Sequence, residues 1–293
     1  MVAATRKKFR AALRSGKLQR MPGAFSPLVA KLIQDLKFDG VYISGAGLAA
    51  DLGVPDIGLT TLAEVAGRSG AIARSVDLPT LADIDTGFGE IVNVARAIEM
   101  MEAAGVSGIH IEDQIMPKRC GHLDGKELVD IKNMQQRIKA ALAAKSDPDF
   151  LIMGRTDARS VEGLDKAIAR AKAYVDAGAE AIFAEALESE KEFEKFRSAI
   201  KVPLLANMTE FGKSPFLTAK QLENLGYNIV IYPMTGWRLA LKAIEDGFRE
   251  IKKAGTQSGL IDDMQTRKRL YELLDYDSYA KFDKNIFNFK LRK

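Results

Sequence analysis

Short apolar segments alternate with segments of helical periodicity along almost the whole chain. In the helical segments, apolar residues recur every three or four positions, as at Ile91, Val94 and Ile98. Thr61 and Glu64 have the spacing of a capping box that opens one of these helices. The apolar segments are typical of parallel strands buried on both faces. They lie at 21–25, 40–44, 78–85, 108–113, 150–157, 181–186, 202–208 and 228–234.

Eight strand–helix units in series predict the α/β class and a closed (β/α)8 barrel of the TIM type. Such a barrel takes about 250 residues, so 293 residues fit one domain spanning 1–293. After the eighth helix, near 235–253, the segment 255–293 carries leucines at helical spacing. This pattern predicts an extra C-terminal helical segment that packs on a neighbouring subunit. Its last six residues, NFKLRK, are expected to be a solvated tail.

The chain begins with a basic segment that allows two interpretations. The first 34 residues contain no Asp or Glu, a composition that resembles a mitochondrial transit peptide. Phe9 and Leu13, however, are spaced as on a short amphipathic helix that leads directly into the first predicted strand. The helix is the favoured interpretation.

The composition narrows the functional classes. With 47% hydrophobic and 28% charged residues, the chain has no apolar run of about 18 residues that could span a bilayer. One cysteine and two histidines provide neither an internal disulfide nor the usual Cys/His zinc cage. A net charge of +4, scattered among acids, does not favour nucleic acid. A reducing cytoplasm fits the single cysteine, and the mild positive charge is equally compatible with small polyanionic substrates.

Polar side chains stand at the ends of the predicted strands. In a TIM-type barrel, catalytic groups project from the carboxyl ends of the strands. Each residue taken alone could be a helix N-cap, but this mixture of acids, bases and amides favours an active site. The residues are Ser44, Asp83, Asp85, Glu112, Asp113, Arg155, Asp157, Glu185, Asn207 and Thr209.

Two carboxylates in the segment LADIDTGFG indicate a metal site. Asp83 and Asp85 are two apart on a predicted strand, so their side chains should point to one side. They would repel each other unless a cation intervened. Mg2+ prefers oxygen ligands and retains waters, through which Glu112 and Asp56 could contribute. Mn2+ is a second candidate, and a pair of caps and ion pairs is the alternative without metal.

The segment 116–129, MPKRCGHLDGKELV, contains the only cysteine. Pro117, Gly121 and Gly125 interrupt regular structure and predict a lid that closes over the substrate. Neighbouring cations should lower the pKa of the Cys120 thiol toward neutrality, within range for proton transfer. The alternative is a small buried apolar residue. His110, inside an apolar strand, is equally well explained as a core histidine and as a site residue.

These motifs resemble the isocitrate lyase / phosphoenolpyruvate mutase superfamily over nearly the whole chain. SGAG, GVPDIGLTTL, DIDTGFG, HIEDQ, KRCGH, ANMTEFGKSP and MQTR appear in the family's order. KRCGH is the most specific, because the lyases carry its cysteine as the proton donor and the mutases generally lack it. The length of 293 residues favours the methylisocitrate-cleaving lyases over the longer isocitrate lyases.

The resemblance implies an Mg2+-dependent cleavage of 2-methylisocitrate to pyruvate and succinate, in the methylcitrate cycle of propionate catabolism. Cys120 would protonate an aci-carboxylate intermediate, and Tyr42 or a metal-linked carboxylate would take the hydroxyl proton. Asp83 and Asp85 would hold the metal, with Asp56 and Glu112 outside them. The other implied catalytic residues are His122 and Lys118. Implied substrate-binding residues are Ser44, Gly45, Ala46, Gly121, Arg155, Glu185, Asn207, Thr209, Ser214, Arg238 and Arg267.

Several positions depart from the family pattern, and three other functions stay open. Residues 123–126 read Leu-Asp-Gly-Lys where many relatives have Arg-Pro-Asn-Lys, and Ala46, Ala184 and Trp237 replace usual residues. The nearest alternative is a sister lyase acting on isocitrate or 2,3-dimethylmalate. A phosphonate mutase or oxaloacetate hydrolase and a non-catalytic binding barrel are the others. The resemblance also implies a homotetramer with exchanged terminal helices.

Overall fold

The structure, a computed structural model, describes residues 2–287. The predicted solvated tail, 288–293, therefore lies outside the described residues. Contacts divide the chain into two compact units, residues 1–237 and 238–293. The prediction of one domain across 1–293 stays a prediction.

The first unit is a parallel barrel in which each predicted apolar segment overlaps a strand; the first strand begins two residues before its predicted segment, 21–25, and the other seven segments contain their strands. Within residues 2–287, eight parallel strands pair in the order β1-β8-β7-β6-β5-β4-β3-β2. A parallel bridge between Gly23 and Tyr42 joins β1 to β2, so the barrel prediction is confirmed. The strands are β1 Gln19–Pro22, β2 Val41–Ile43, β3 Thr80–Asp83, β4 Gly108–Glu112, β5 Leu151–Thr156, β6 Ala181–Ala184, β7 Leu204–Asn207 and β8 Ile229–Tyr232.

Helices follow the strands as the periodicity predicts. The capping box is present at the start of α4, where Thr61 and Glu64 bond reciprocally. The helices of the first unit are α1 Val2–Arg14, α2 Pro27–Asp35, α3 Gly45–Asp51, α4 Leu62–Ala73, α5 Ile91–Ala104, α6 Ile131–Ala144, α7 Ala158–Glu162, α8 Leu164–Asp176, α9 Glu190–Ala199 and α10 Ala219–Asn224.

The amino-terminal helix α1 packs at the end of the barrel where the strands begin. Phe9 and Leu13 belong to the same buried cluster as residues of every strand except β4. On the polar side, the Arg6 guanidinium donates to the Val106 carbonyl at 2.9 Å, just before β4. The Asn228 amide donates to the Leu13 carbonyl at 3.2 Å, just before β8. The basic start of the chain is thus an amphipathic helix built into the barrel.

Replacing Phe9 with alanine is expected to destabilise the barrel by about 3–5 kcal/mol, the usual cost of emptying an aromatic core position. Phe9 is 1% exposed, so its removal leaves a cavity. Urea unfolding measures the loss. Phe216→Ala is the matched control, because Phe216 is 70% exposed; equal losses in the two variants would contradict the packing described for α1.

The second unit is helical. It takes in most of helix α11, Thr235–Ala254, and continues through a 3-10 helix at Ser258–Asp263, α12 Arg267–Leu274 and α13 Tyr276–Phe287. The predicted eighth helix and the predicted helices after residue 255 are thus present. Large apolar side chains of α11, such as Leu239 and Phe248, are exposed. Packing of this unit on a neighbouring subunit stays a prediction.

In the part of the chain that the structure describes, every helix is either too short or too polar to cross a membrane.

Candidate active site

Charged side chains gather at the end of the barrel where the strands end, opposite α1. Arg155, from β5, is 6% exposed and lies at the centre of this group. Its Nε is 3.2 Å from a Glu112 oxygen and 3.0 Å from an Asp157 oxygen, and its Nη2 is 3.3 Å from a Glu185 oxygen. Its guanidinium carbon also lies 5.0 Å from the centre of the Phe183 ring. Strand-end residues distant in sequence therefore form one buried ionic cluster.

Asp83 and Asp85 face a common space, but not for the reason that strand alternation gives. Strand β3 ends at Asp83, and Asp85 has a left-handed backbone with φ of 48°. The Asp85 N–H donates to the Asp83 carboxylate at 2.9 Å. A Cβ added at Gly45 would lie 3.0 Å from Asp83 Oδ2 and 3.2 Å from Asp85 Oδ1. A turn, rather than a strand, brings the two carboxylates together, close against the backbone of Gly45.

Lys118 reaches these carboxylates from the lid, residues 116–129. Its ammonium lies 2.8 Å from Asp85 Oδ1 and also pairs with Asp56. Burial acts to lower the pKa of Lys118, but the charges of Asp85, Glu112 and Asp56 outweigh it and raise that pKa. Lys118 is therefore a fixed cation directed at the acidic residues of the site.

The donor set fits a divalent cation even though ligands do not already surround one point. Among residues 2–287, no three His, Cys, Asp or Glu side chains form a preassembled metal cage. Glu112 Oε1 is nevertheless buried and accepts no hydrogen bond from the described residues, and Asp85 Oδ1 lies beside the Lys118 ammonium. Burial raises the pKa of Asp85 to about 6 and that of Glu112 well above its usual value. Mg2+ prefers oxygen ligands such as carboxylates, and Glu112 offers a buried carboxylate oxygen that no described residue hydrogen-bonds.

Backbone hydrogen bonds hold the two ends of the lid together, and Cys120 lies between those ends. Leu128 forms an antiparallel bridge with Gln114, and the Ile115 N–H donates to the Glu127 carbonyl at 2.8 Å. Cys120 is half-buried. Burial raises the pKa of its thiol. The prediction of a lowered pKa is therefore wrong, because the cost of burying the thiolate outweighs the effect of the nearby cation Arg155. A protonated thiol is suited to donating a proton.

His122 joins the lid to the strand-end cluster. Its Nε2 lies 3.1 Å from the Glu185 carboxylate, and its Nδ1 accepts the backbone N–H of Lys213 at 3.0 Å. The Asn207 amide donates to both Glu185 oxygens at 3.3 Å. Burial acts to raise the pKa of Glu185, but Arg155 and His122 lower it below its usual value. Glu185 thus stays ionised and holds lid and barrel together.

At Gly121 the lid backbone packs directly against this cluster. A Cβ added there would lie 2.4 Å from Arg155 Nη2 and 2.4 Å from Glu185 Cγ. Only a residue without a side chain lets the lid pack this closely.

Replacing Gly121 with alanine is expected to lower kcat/KM by about 10²-fold, the scale of a misplacement near 1 Å. The added methyl would displace the lid from Arg155 and Glu185. Steady-state kinetics measure the loss. The matched control is Gly67→Ala on α4, where an added Cβ meets nothing within 4 Å. Unchanged kinetics in Gly121→Ala would show that the lid need not seat as described.

Tyr42 and His110 form a buried pair under the carboxylates. The Tyr42 hydroxyl lies 2.8 Å from His110 Nε2, and His110 Nδ1 lies 3.7 Å from Asp83. Burial lowers the pKa of His110 to about 4, so the ring is neutral. Burial also raises the pKa of Tyr42 well above its usual value. His110 is therefore both a core histidine and a neighbour of the acidic residues.

The remaining predicted binding residues fall into two groups. Ser44 caps α3 by accepting the Gly47 N–H at 3.3 Å, and Ala46 follows in the first turn. Thr209 is buried in the loop after β7, where Ser214 is half-buried. Arg238 and Arg267 belong to the second unit. The substrate contacts of all these residues stay predictions.

Two residues of the site were missed in the sequence. Gln114 and Lys126 contact the lid backbone on either side of Cys120. Gln114 directly follows the strand-end acids of HIEDQ, and Lys126 matches the lysine of the family's Arg-Pro-Asn-Lys segment. These signals were present, but only the fold shows what the two side chains contact.

Comparisons with known proteins agree with this geometry. The model of the phosphoenolpyruvate phosphomutase family matches residues 9–252. "Probable 2-methylisocitrate lyase 2" of Corynebacterium glutamicum is 57% identical over 284 residues, 97% of this chain and 92% of that protein. The 2-methylisocitrate lyase of Bacillus subtilis is 48% identical, over 95% of this chain and 92% of that protein. A phosphonopyruvate hydrolase solved with oxalate and Mg2+ has a TM-score of 0.87 at 34% identity, covering 96% of this chain and 98% of that one.

Proposed function

Because the chain belongs to the phosphoenolpyruvate phosphomutase family, within the isocitrate lyase / phosphoenolpyruvate mutase superfamily, we propose that it cleaves 2-methylisocitrate to pyruvate and succinate. It is a carbon–carbon lyase. The observation that carries the choice of reaction is the seating of Gly121, next to Cys120, against Arg155 and Glu185. This contact brings the lid segment that carries the protonated thiol against buried cationic and acidic side chains.

Asp83 and Asp85 would hold Mg2+, with Asp56 and Glu112 acting through bridging waters, and Mn2+ is a second candidate. The buried Glu112 oxygen that accepts no hydrogen bond from the described residues supports this assignment, as does the Mg2+ in the related hydrolase structure. When bound, the ion would polarise the substrate hydroxyl and the neighbouring carboxylate.

The protein's own residues divide the remaining work. Arg155 offers a fixed guanidinium to a substrate carboxylate, and His122 with Asn207 lines the side next to Glu185. Thr209, Ser214, Arg238 and Arg267 are the further proposed carboxylate ligands, together with the Ser44–Ala46 segment. Breaking the C–C bond leaves a carbanion beside a carboxylate, which such fixed donors stabilise.

Two proton transfers complete the reaction. Cys120 is the general acid that protonates the carbanion carbon, since burial keeps its thiol protonated. The Tyr42 phenol is also protonated because of burial. Tyr42 therefore acts as a hydrogen-bond donor and not as the base. A carboxylate of the site accepts the proton of the substrate hydroxyl.

A coupled assay tests the substrate. The protein with Mg2+ and 2-methylisocitrate should release pyruvate, detected with lactate dehydrogenase and NADH. Isocitrate and 2,3-dimethylmalate are run beside it, and phosphonopyruvate and oxaloacetate represent the mutase and hydrolase chemistries. A higher kcat/KM on any of these would replace the proposed substrate, and no product from any of them would indicate a binding protein.

Removing the metal is expected to lower activity by about 10²-fold or more, because a Lewis acid supplies several kcal/mol of charge stabilisation. The enzyme is treated with EDTA, desalted and assayed with and without added Mg2+ or Mn2+. Recovery on adding Mg2+ is the internal control. Full activity in EDTA would contradict the metal proposal.

We further propose that the enzyme works in the cytoplasm, as a homotetramer, in propionate catabolism. A single cysteine suits a reducing compartment. The exposed apolar side chains of α11 support assembly with other copies. Size-exclusion chromatography with light scattering tests the tetramer.

A further inference from the structure

We propose that Gln114 and Lys126 are positioning residues that clamp the backbone on both sides of Cys120 and fix where the thiol sits. The expected effect on kcat rests on the proposed function, whereas the expected effect on the position of the thiol does not. It assigns a task to two buried polar side chains that the chemistry of the lyase does not otherwise use.

Gln114 holds the residue before the cysteine. It is 1% exposed, and its amide nitrogen donates to the Arg119 carbonyl at 2.8 Å. Its amide oxygen accepts the Arg119 N–H at 2.9 Å. Both polar atoms of the Gln114 side chain thus hydrogen-bond to the backbone of one lid residue, Arg119. Gln114 lies two residues after β4 and its backbone is bridged to Leu128, so this anchor belongs to the base of the lid rather than to its middle.

Lys126 holds the residue after the cysteine. Lys126 is 6% exposed. Its ammonium donates to the Gly121 carbonyl and, at 2.9 Å, to Asp157 Oδ1. A buried ammonium is stable only with an anionic partner, so Lys126 must stay beside Asp157. The lid segment that follows Cys120 is therefore bonded to the barrel and is not free in solvent.

Asp157 links this clamp to the binding cluster. Its carboxylate is shared between Lys126 and Arg155, which lies 3.0 Å away. Its backbone N–H donates to the buried Asp113 carboxylate at 2.9 Å. Asp157 is thus held from two sides, and the thiol and Arg155 take their positions from one common group.

The lid also has a surface ion pair that offers a contrast. Asp124 pairs with Lys213, and the Asp124 side chain is 89% exposed. Exposed pairs of this kind contribute little. If the buried clamp fixes Cys120, breaking it should affect the thiol, whereas breaking the surface pair should not.

Alkylation of Cys120 by iodoacetamide tests this directly, because the chain has one cysteine and the signal has no background. The variants are Lys126→Met and Gln114→Met, with Asp124→Asn as control. We expect alkylation at least about fivefold faster in both variants and within twofold of wild type in the control. Losing a cation raises a thiol's pKa and slows alkylation, so a faster rate in Lys126→Met reports exposure.

The kinetic readout separates positioning from binding. With 2-methylisocitrate, kcat should fall about 10- to 100-fold in both variants, since a misplaced acid acts only in the transition state. KM should stay within about threefold. A fall in kcat together with faster alkylation supports the clamp.

Alkylation within twofold of wild type in a folded Gln114→Met or Lys126→Met variant would overturn the clamp, whatever happens to kcat. Circular dichroism and thermal melting check the fold. If Lys126→Met fails to fold, Gln114→Met decides alone, because it leaves no buried charge. The alkylation assay needs no substrate. Faster alkylation in a protein that cleaves no 2-methylisocitrate would support the clamp and reject only the proposed function.

Discussion

Replacing Asp85 with asparagine is expected to lower kcat/KM by about 10³-fold or more. The change keeps the shape of the side chain but removes a charge that both Mg2+ and Lys118 would contact. Loss of a metal that supplies several kcal/mol of charge stabilisation gives an effect of this size. The measurement is kcat/KM over a range of Mg2+ concentrations, together with the Kd for Mn2+ by electron paramagnetic resonance.

Asp165→Asn is the matched control for this variant. Asp165 pairs with Lys195 on the surface, and its side chain is 83% exposed, so its kinetics should stay within twofold of wild type. Melting temperatures without metal show whether each variant is folded. A folded Asp85→Asn protein that binds Mn2+ as wild type does would refute the role given to Asp85.

Replacing Cys120 with serine is expected to lower kcat by about 10² to 10⁴-fold, the usual range for one positioned proton donor. A serine hydroxyl is nearly the same size but a far weaker acid. Burial raises the thiol's pKa, yet the thiol remains the more acidic of the two groups. Pre-steady-state measurement of pyruvate and succinate should show that the step slowed is protonation of the carbanion.

Mg2+ affinity separates this variant from the metal variant. Cys120 does not contact Asp83 or Asp85 through any hydrogen bond or ion pair found within residues 2–287. Cys120→Ser should therefore bind Mn2+ as tightly as wild type. Near-full activity in Cys120→Ser would remove the thiol from the mechanism and leave the metal assignment standing.

The strands and helices could be predicted from local pattern because burial on both faces of a parallel strand and on one face of a helix leaves periodic apolar residues. The same reasoning identified α1 through Phe9 and Leu13 and the capping box at Thr61. The identities of the site residues were available for a similar reason: catalytic groups follow strand ends in a barrel. Strand ends themselves were less exact. The predicted segment 78–85 ends as a strand at Asp83, because Asp85 turns into the left-handed region.

The sequence by itself thus determined the barrel, the acidic and cationic residues at its rim and the cysteine on a lid. The tertiary structure alone decided what those residues contact. Lys118 pairs with Asp85 and Asp56, and burial of Cys120 raises the thiol's pKa instead of lowering it. Lys126 reaches Asp157, and Gln114 holds the lid backbone. Periodicity records which face of an element is buried, whereas a pKa and an ion pair depend on desolvation and distance between segments that only folding brings together.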